Sequence, residues 1–286
     1  MKKSKKKFII IFAVTLISAI IFSSLILCFI FFDNKNYVFE EIELNRNENI
    51  EQTTIKIAHL SDMHFPNIDI DLTAFLKDLS TKDIDFFAIT GDLIDGSEID
   101  STGLIDFLTK LYDIAPIYYV TGNHEAKYAD CEYLFSVLKK IGVIVLNNES
   151  AVFKKGAKEI TVIGLKDNAK YNAKYISQQF DKNNYKILLA HRPDRNKNIT
   201  YVASSSPETL QSVPNLVLTG HAHGGQIRMF NRGLFVPSQG FLPKYTSGAY
   251  EIGQKTTMIV SRGLGNSSFP WRINNPPHVP IITLYI

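Results

Sequence analysis

The two histidines in LVLTGHAHGGQIR, Leu216–Arg228, stand one residue apart among glycines, just past a short apolar run. Two imidazoles so placed are either solvated loop residues or one corner of a metal site, and the pair alone does not decide. Other stretches share the form: an apolar run followed at once by Asp, Asn or His, often with a glycine just before. These are SDMH with Asp62 and His64, TGDLID with Asp92 and Asp95, TGNHE with Asn123, His124 and Glu125, and LLAH with His191. TGHAH, with His221 and His223, completes the set. Oxygen and nitrogen donors without a cysteine suit borderline or hard divalent ions such as Mn, Fe or Zn. One carboxylate shared by two ions would set them about 3.5–4 Å apart. Any one block alone is more often a strand cap or a polar loop; together they predict a site for two divalent metal ions.

Such blocks meet only if regular elements bring them to one edge. TIKIAHLSD, IDFFAIT, APIYYVT, YKILLAH and NLVLTGH read as buried strands, each ending where a block begins. Between the first three lie DLTAFLKDLS and TGLIDFLTKLYD, with helical spacing, and CEYLFSVLKKIG follows as a helix with Gly142 as its cap. VIVLN, ITVIGL, GAYEIG, TTMIVSRG and VPIITLYI add strands. The pattern is mixed α/β, richer in strands toward the C-terminus and without an internal repeat. In open α/β sheets ligands bind outside the carboxyl ends of the strands, where the blocks fall.

The N-terminus is of another kind. Lys2, Lys3, Lys5, Lys6 and Lys7 precede FIIIFAVTLISAIIFSSLILCFIFF, an uncharged run over residues 8–32. About 20 apolar residues cross a bilayer as a helix, and this run exceeds a signal-peptide core and ends in bulky Phe-Ile-Phe-Phe, with Ser23 and Ser24 as the only weak cleavage candidates. We therefore expect a basic cytoplasmic segment (1–7), an uncleaved single-pass transmembrane anchor (8–32), a polar linker (33–52) and an extracytoplasmic domain (53–286). The formal charge of +3 comes from those lysines, without which 26 basic residues face 28 acidic ones. That balance leaves no electrostatic footprint for nucleic acid. Of the two cysteines, Cys28 lies in the apolar run and Cys131 in the domain, so no internal disulfide is expected there.

The ordered set Asp-x-His, Gly-Asp, Gly-Asn-His-Glu, His, Gly-His-x-His over Asp62–His223 resembles the calcineurin-like metallophosphoesterases. GHAHGGQIR and the tail SRGLGNSSFPWRINNPPHVPIITL are similar to the membrane-associated bacterial YkuE/YaeI-type phosphodiesterase branch. The resemblance implies a four-layer α/β fold with a mixed-sheet sandwich. It implies one metal held by Asp62, His64, Asp92 and His223, and a second held by Asp92, Asn123, His191 and His221, with Asp92 bridging. A metal-bridging hydroxide would attack phosphorus. His124 would protonate the leaving oxygen or stabilise the transition state, and Asp95 would orient it. The implied substrate is a phosphodiester or pyrophosphate, with a lipid-linked or cell-envelope compound as one option.

One feature separates the chain from protein serine/threonine phosphatases. Where those carry two phosphate-gripping arginines, it has Gly96 and Thr121. Arg192, Arg228, Arg262 and Arg272 are the loop cations that could touch substrate instead. His59 is expected in the core, and His278 in a structural or rim position. FPWRINNPP is either a substrate-facing loop or a packed connector. The alternative to an enzyme is a binding or scaffold module that keeps the fold without turnover; the completeness of the blocks favours catalysis.

Overall fold

A computed structural model describes residues 2–96, 101–128, 130–167, 184–196, 213–253, 255–266 and 269–286. The chain opens with α1 (Lys2–Lys35), a single helix. Its stretch Lys5–Cys28 is apolar, unburied and 24 residues long, about 36 Å at 1.5 Å per residue. It is a candidate membrane span.

The polar stretch at 33–52, expected to be a linker, is instead partly a strand of the domain. β1 (Val38–Leu44) pairs in parallel with the last strand of the chain along its whole length, from Val38 opposite His278 to Leu44 opposite Leu284. It is an edge strand that leaves Glu40, Glu41 and Glu43 exposed, which gives it a linker's composition. Ile42 and Leu44 still pack inward. The remaining elements follow in order: β2 (Thr54–Leu60), α2 (Leu72–Ser80), β3 (Phe86–Thr90), α3 (Ser101–Ile114), β4 (Ile117–Val120), α4 (Cys131–Ile141), β5 (Ile144–Val145), β6 (Ser150–Lys155), β7 (Lys158–Gly164), β8 (Tyr185–Leu189) and β9 (Leu216–Thr219). Two small hairpins come next, β10 (Arg228–Met229) with β11 (Arg232–Gly233), and β12 (Phe235–Val236) with β13 (Gly240–Phe241). β14 (Gly248–Ile252), β15 (Thr256–Val260) and β16 (His278–Tyr285) close the chain.

Two six-stranded sheets result, ordered β1-β16-β2-β3-β4-β5 and β14-β15-β9-β8-β7-β6. The strands that carry the blocks are parallel to their block-bearing neighbours, β2 to β3 to β4 and β8 to β9, so their carboxyl ends lie at one edge. Successive side chains of a strand point to opposite faces. Phe87 and Ile89 of β3 therefore meet α2–α4 through Phe75, Phe107 and Leu134, while Phe86 and Ala88 face the second sheet through Ile187 and Leu216. The outer face of the second sheet carries Leu188, Val217 and Met258. Among the described residues Val236 and Tyr245 cover that face from the hairpin region, forming the outermost layer. The helices begin and end as their sequences direct. Asp71 accepts the N–H groups of Thr73 and Ala74 at the start of α2, and Gly142, left-handed at φ +105°, ends α4.

Candidate metal centre

Five strand ends meet above the sheet edge. β2 delivers Asp62 and His64, β3 delivers Asp92, β4 delivers Asn123 and His124, β8 delivers His191, and β9 delivers His221 and His223. Five of these residues have left-handed backbones: Asp62 (φ 49°), His64 (51°), Asp92 (49°), His221 (66°) and His223 (44°). Non-glycine residues avoid that region at a cost of about 1–3 kcal/mol each. Packing holds them there, and the sharp turn is what swings each side chain back over the strand end.

The polar atoms then converge. His64 Nε2 and His223 Nε2 are 3.2 Å apart, and His223 Nε2 is 3.5 Å from Asp62 Oδ1. On the other side His191 Nε2 lies 3.1 Å from Asn123 Oδ1 and 3.1 Å from His221 Nδ1. Asp92 Oδ2 stands between the groups, 3.2 Å from His191 Nε2 and 3.9 Å from His64 Nε2. Its other oxygen accepts the His124 N–H at 2.9 Å, which fixes the carboxylate. Asp62 is fixed likewise by the N–H of His221 and by Ser61 Oγ–H at 2.6 Å.

This geometry fits divalent metal. Donor atoms about 2.0–2.2 Å from a common ion lie roughly 3.0–3.5 Å from each other, the spacing of every pair here but Asp92 with His64. Ring nitrogens that face each other can share only one proton, whereas a metal satisfies every lone pair. His191 Nδ1 donates to the Thr90 carbonyl at 2.9 Å, turning the Nε2 lone pair inward, as ligand histidines are commonly held. Three donor groups of metal-binding type form here: Asp62 with His64 and His223, Asp92 with His191 and His221, and His64 with Asp95 and His124.

Electrostatics point the same way. Burial disfavours charge on His191, yet the adjoining Asp92 carboxylate outweighs it and lifts that pKa to about 10. Burial likewise opposes charge on Asp92, but His191 holds it well below the ordinary carboxylate range. Burial and the neighbouring His64 push His223 far down. The site thus keeps Asp92 anionic and His223 neutral with its lone pair free, and the positive charge that Asp92 draws onto His191 marks a place that favours a cation.

The presumed orienting role of Asp95 takes a different form. His124 Nδ1 bonds the Asp95 backbone carbonyl at 2.9 Å, while the carboxylate lies 3.4 Å from that nitrogen and 3.5 Å from His64 Nδ1. Its other oxygen accepts from Asn67 at 2.7 Å. Of the four arginines, Arg192 alone lines the cavity over the cluster; it donates to Asp167 at 2.9 Å and to His221 Nε2 at 3.0 Å. Arg228 and Arg272 are buried and bond backbone carbonyls, so they hold loops. His59 is in the core against Thr90, and buried His278 pairs with Glu40. The cavity, about 640 Å³, is also lined by Lys127, Phe235, Pro237 and Phe269. In FPWRINNPP Phe269 faces the cavity and Arg272 packs beneath it; Ser267 and Ser268 before it lie outside the described residues.

Glu125 is the main residue whose role the sequence reading left unassigned. Fully buried, it accepts four backbone N–H groups: Leu93 and Ile94 on Oε1, Asp92 and Gly122 on Oε2. Burial raises its pKa, but four donors leave no room for a proton, so it sits as a carboxylate locking the Asp92 loop to the Asn123 loop. Its place in Gly-Asn-His-Glu was the available signal.

Residues 55–225 match the family described as calcineurin-like phosphoesterase. Among curated relatives, the metallophosphoesterase YkoQ of Bacillus subtilis is 28% identical over 235 residues, covering 79% of this chain and 82% of that protein. The metallophosphoesterase YkuE of the same organism is 30% identical over 240 residues, covering 80% and 78%. Among solved structures, sulfate thiohydrolase SoxB of Thermus thermophilus shares the fold, with a TM-score of 0.50, 12% identity and coverage of 81% of this chain and 56% of that one. The chain belongs to the calcineurin-like phosphoesterase family of metallophosphoesterases.

Proposed function

We propose that the chain is a membrane-anchored, two-metal phosphoesterase that hydrolyses a phosphodiester or pyrophosphate bond on the outer side of the cytoplasmic membrane. The observation that carries this reading is Asp92 Oδ2 standing between two sets of inward-facing donors. Asp62, His64, Asp92 and His223 would hold one ion, and Asp92, Asn123, His191 and His221 the other. When bound there, divalent ions supply Lewis acidity to phosphoryl oxygens and activate water for attack.

The chain's own groups account for the rest. His124, pinned at Nδ1 by the Asp95 carbonyl, presents Nε2 to the cavity 3.9 Å from Asp92 Oδ2. From there it hands a proton to the departing oxygen. Arg192 and Lys127 line the same cavity and bind phosphoryl oxygens. With Gly96 and Thr121 in place of the two arginines of protein phosphatases, two grips on a phosphate dianion are missing, which suits the single charge of a diester. α1 is the anchor, and the lysines of its first turns stay in the cytoplasm.

The test uses the full chain in detergent with Mn²⁺. Hydrolysis of bis-p-nitrophenyl phosphate is expected to exceed that of p-nitrophenyl phosphate, and Asp92→Asn to lower it by at least ~100-fold, the scale of removing a group central to metal binding. Metal analysis should give two divalent ions per chain. A chain with no bound metal and no turnover of either ester would make it a scaffold instead.

A further inference from the structure

The last turn of α1 is fastened to the rim of the metal cavity. Asn34 donates to the Pro270 carbonyl at 2.9 Å and accepts the Arg272 N–H at 3.0 Å. Arg272 is itself buried and bonds the carbonyls of Arg262, Gly263 and Gly265, so the loop bearing Phe269 and Trp271 is tied both to the helix and to the domain. β1 begins at Val38, and the few residues from Asn34 to there reach at most about 14 Å. The domain therefore has no slack to swing away from the helix end. The uncharged run at residues 8–32 makes about 37 Å of helix, enough for a hydrocarbon core of about 30 Å. Asn34 falls within one turn beyond it, at the level of the headgroups.

Two aromatic pairs border the cavity. The rings of Phe269 and Trp271 are 5.5 Å apart, and those of Phe235 and Phe241 are 5.1 Å apart. Phe269 and Phe235 line the cavity beside Asn123, His124 and His221. Trp271, Phe241 and Leu242 project outward, with 48%, 77% and 70% of their surface exposed. The segments bearing the two pairs are bound to each other. Ile227 bridges Ile273, and Asn274 donates to the Arg228 carbonyl at 3.2 Å, so the hairpin region and the Trp271 loop form one rim. Apolar surface gathered around a cavity marks an interaction site; Trp favours the membrane–water boundary, and Trp, Phe and Leu form the buried face of segments that lie in it.

We propose that this rim seats in the headgroup–acyl boundary of the bilayer that α1 crosses, so that the metal cavity takes its phosphoester out of the membrane plane. The substrate class is then a lipid phosphodiester or pyrophosphate. Its acyl chains stay in the bilayer against Phe235 and Phe269 while its phosphate reaches the donor cluster. This rests on the reading of α1 as a membrane span and of the cavity as a phosphoesterase site.

Trp271 is the single tryptophan of the chain, which provides the probe. The full chain is reconstituted into vesicles of phosphatidylethanolamine and phosphatidylglycerol, part of them brominated on the acyl chains. Trp271 emission is expected to shift to the blue and to be quenched. Because Trp271 lies beside the helix end, a second chain carrying Trp271→Phe and Leu242→Trp reads the other aromatic pair, and it too should be quenched. Leu242→Trp emission that is unquenched in vesicles would overturn the proposal. In parallel, Phe241→Asp with Leu242→Asp is expected to slow cleavage of a vesicle-embedded p-nitrophenyl phosphatidyl ester about tenfold, the scale of un-burying large apolar side chains, and to leave bis-p-nitrophenyl phosphate unchanged. Equal loss on both esters would also overturn it. Quenching needs no turnover: a quenched but inactive chain removes the phosphoesterase reading alone, and an active, unquenched chain removes the membrane seat alone.

Discussion

Glu125 shows how one side chain can set the geometry of others without reaching the cavity. Its two oxygens accept four backbone N–H groups from the turns that carry Asp92 and Asn123. Glu125→Gln keeps the shape but sets an NH₂ group against two N–H donors. Leaving buried donors unsatisfied costs about 1–3 kcal/mol, and misplaced support around a metal site lowers affinity by ~10–100-fold. We expect the variant to fold with an unchanged far-UV spectrum and to need ~10–100-fold more Mn²⁺ for half-maximal activity. Unchanged Mn²⁺ dependence would show that the turns hold their shape without the anion. Arg192 makes the complementary point. It was one of four loop arginines of similar promise in the sequence, and its contacts with Asp167 and His221 and its place in the cavity lining distinguish it.

At the scale of the element, the unit that matters is a strand followed by a turn too tight for ordinary residues. The turn after β4 passes directly beside Asp92: a Cβ on Gly122 would fall on the Asp92 carboxylate and backbone nitrogen. Gly122→Ala should therefore displace the shared carboxylate while β4, buried from Ile117 to Val120, stays paired. The expected result is loss of one or both bound metals by mass spectrometry or metal analysis, in a protein whose unfolding free energy in the presence of chelator changes by at most about 2 kcal/mol, within the usual range for one substitution. An alanine variant with two metals and full activity would mean the turn has room the geometry denies. β1 illustrates the opposite case, an element whose own residues are uninformative. Its glutamates read as linker because its order comes from β16, far away in the chain.

For the whole molecule, the two sheets must stack with both sets of donors at one edge, and this buries histidines away from the cavity too. Burial lowers the pKa of His59 to about 3 and of His278, beside Glu40 at 2.6 Å, to about 4. In the unfolded chain both titrate near 6.5. Between these values the unfolded state binds more protons than the folded one, so stability declines as pH falls from about 6.5 toward 4. At about 1.4 kcal/mol per pKa unit the loss amounts to several kcal/mol. Denaturant unfolding of the chelated protein should show it as a falling midpoint between pH 7 and 4.5, and His59→Gln, which keeps a partner for Thr90, should flatten the slope. A midpoint independent of pH would mean the two rings are more hydrated than their burial indicates.

Local features were legible in the order of the amino acids. Block-bearing strands showed as short apolar runs, α4 with its Gly142 stop as a helix, and the donor types with their order as a metal site of this family, because period and residue chemistry are written within a few neighbours. Tertiary structure alone decided what depends on distant partners. His64 and His223 stand 159 residues apart and meet across two sheets. β1 exists by pairing with β16. Glu125 acts through backbone groups about thirty residues before it, and Asn34 ties the apolar helix to a loop more than two hundred residues later. Such contacts form only once the sheets close, and no local pattern encodes them.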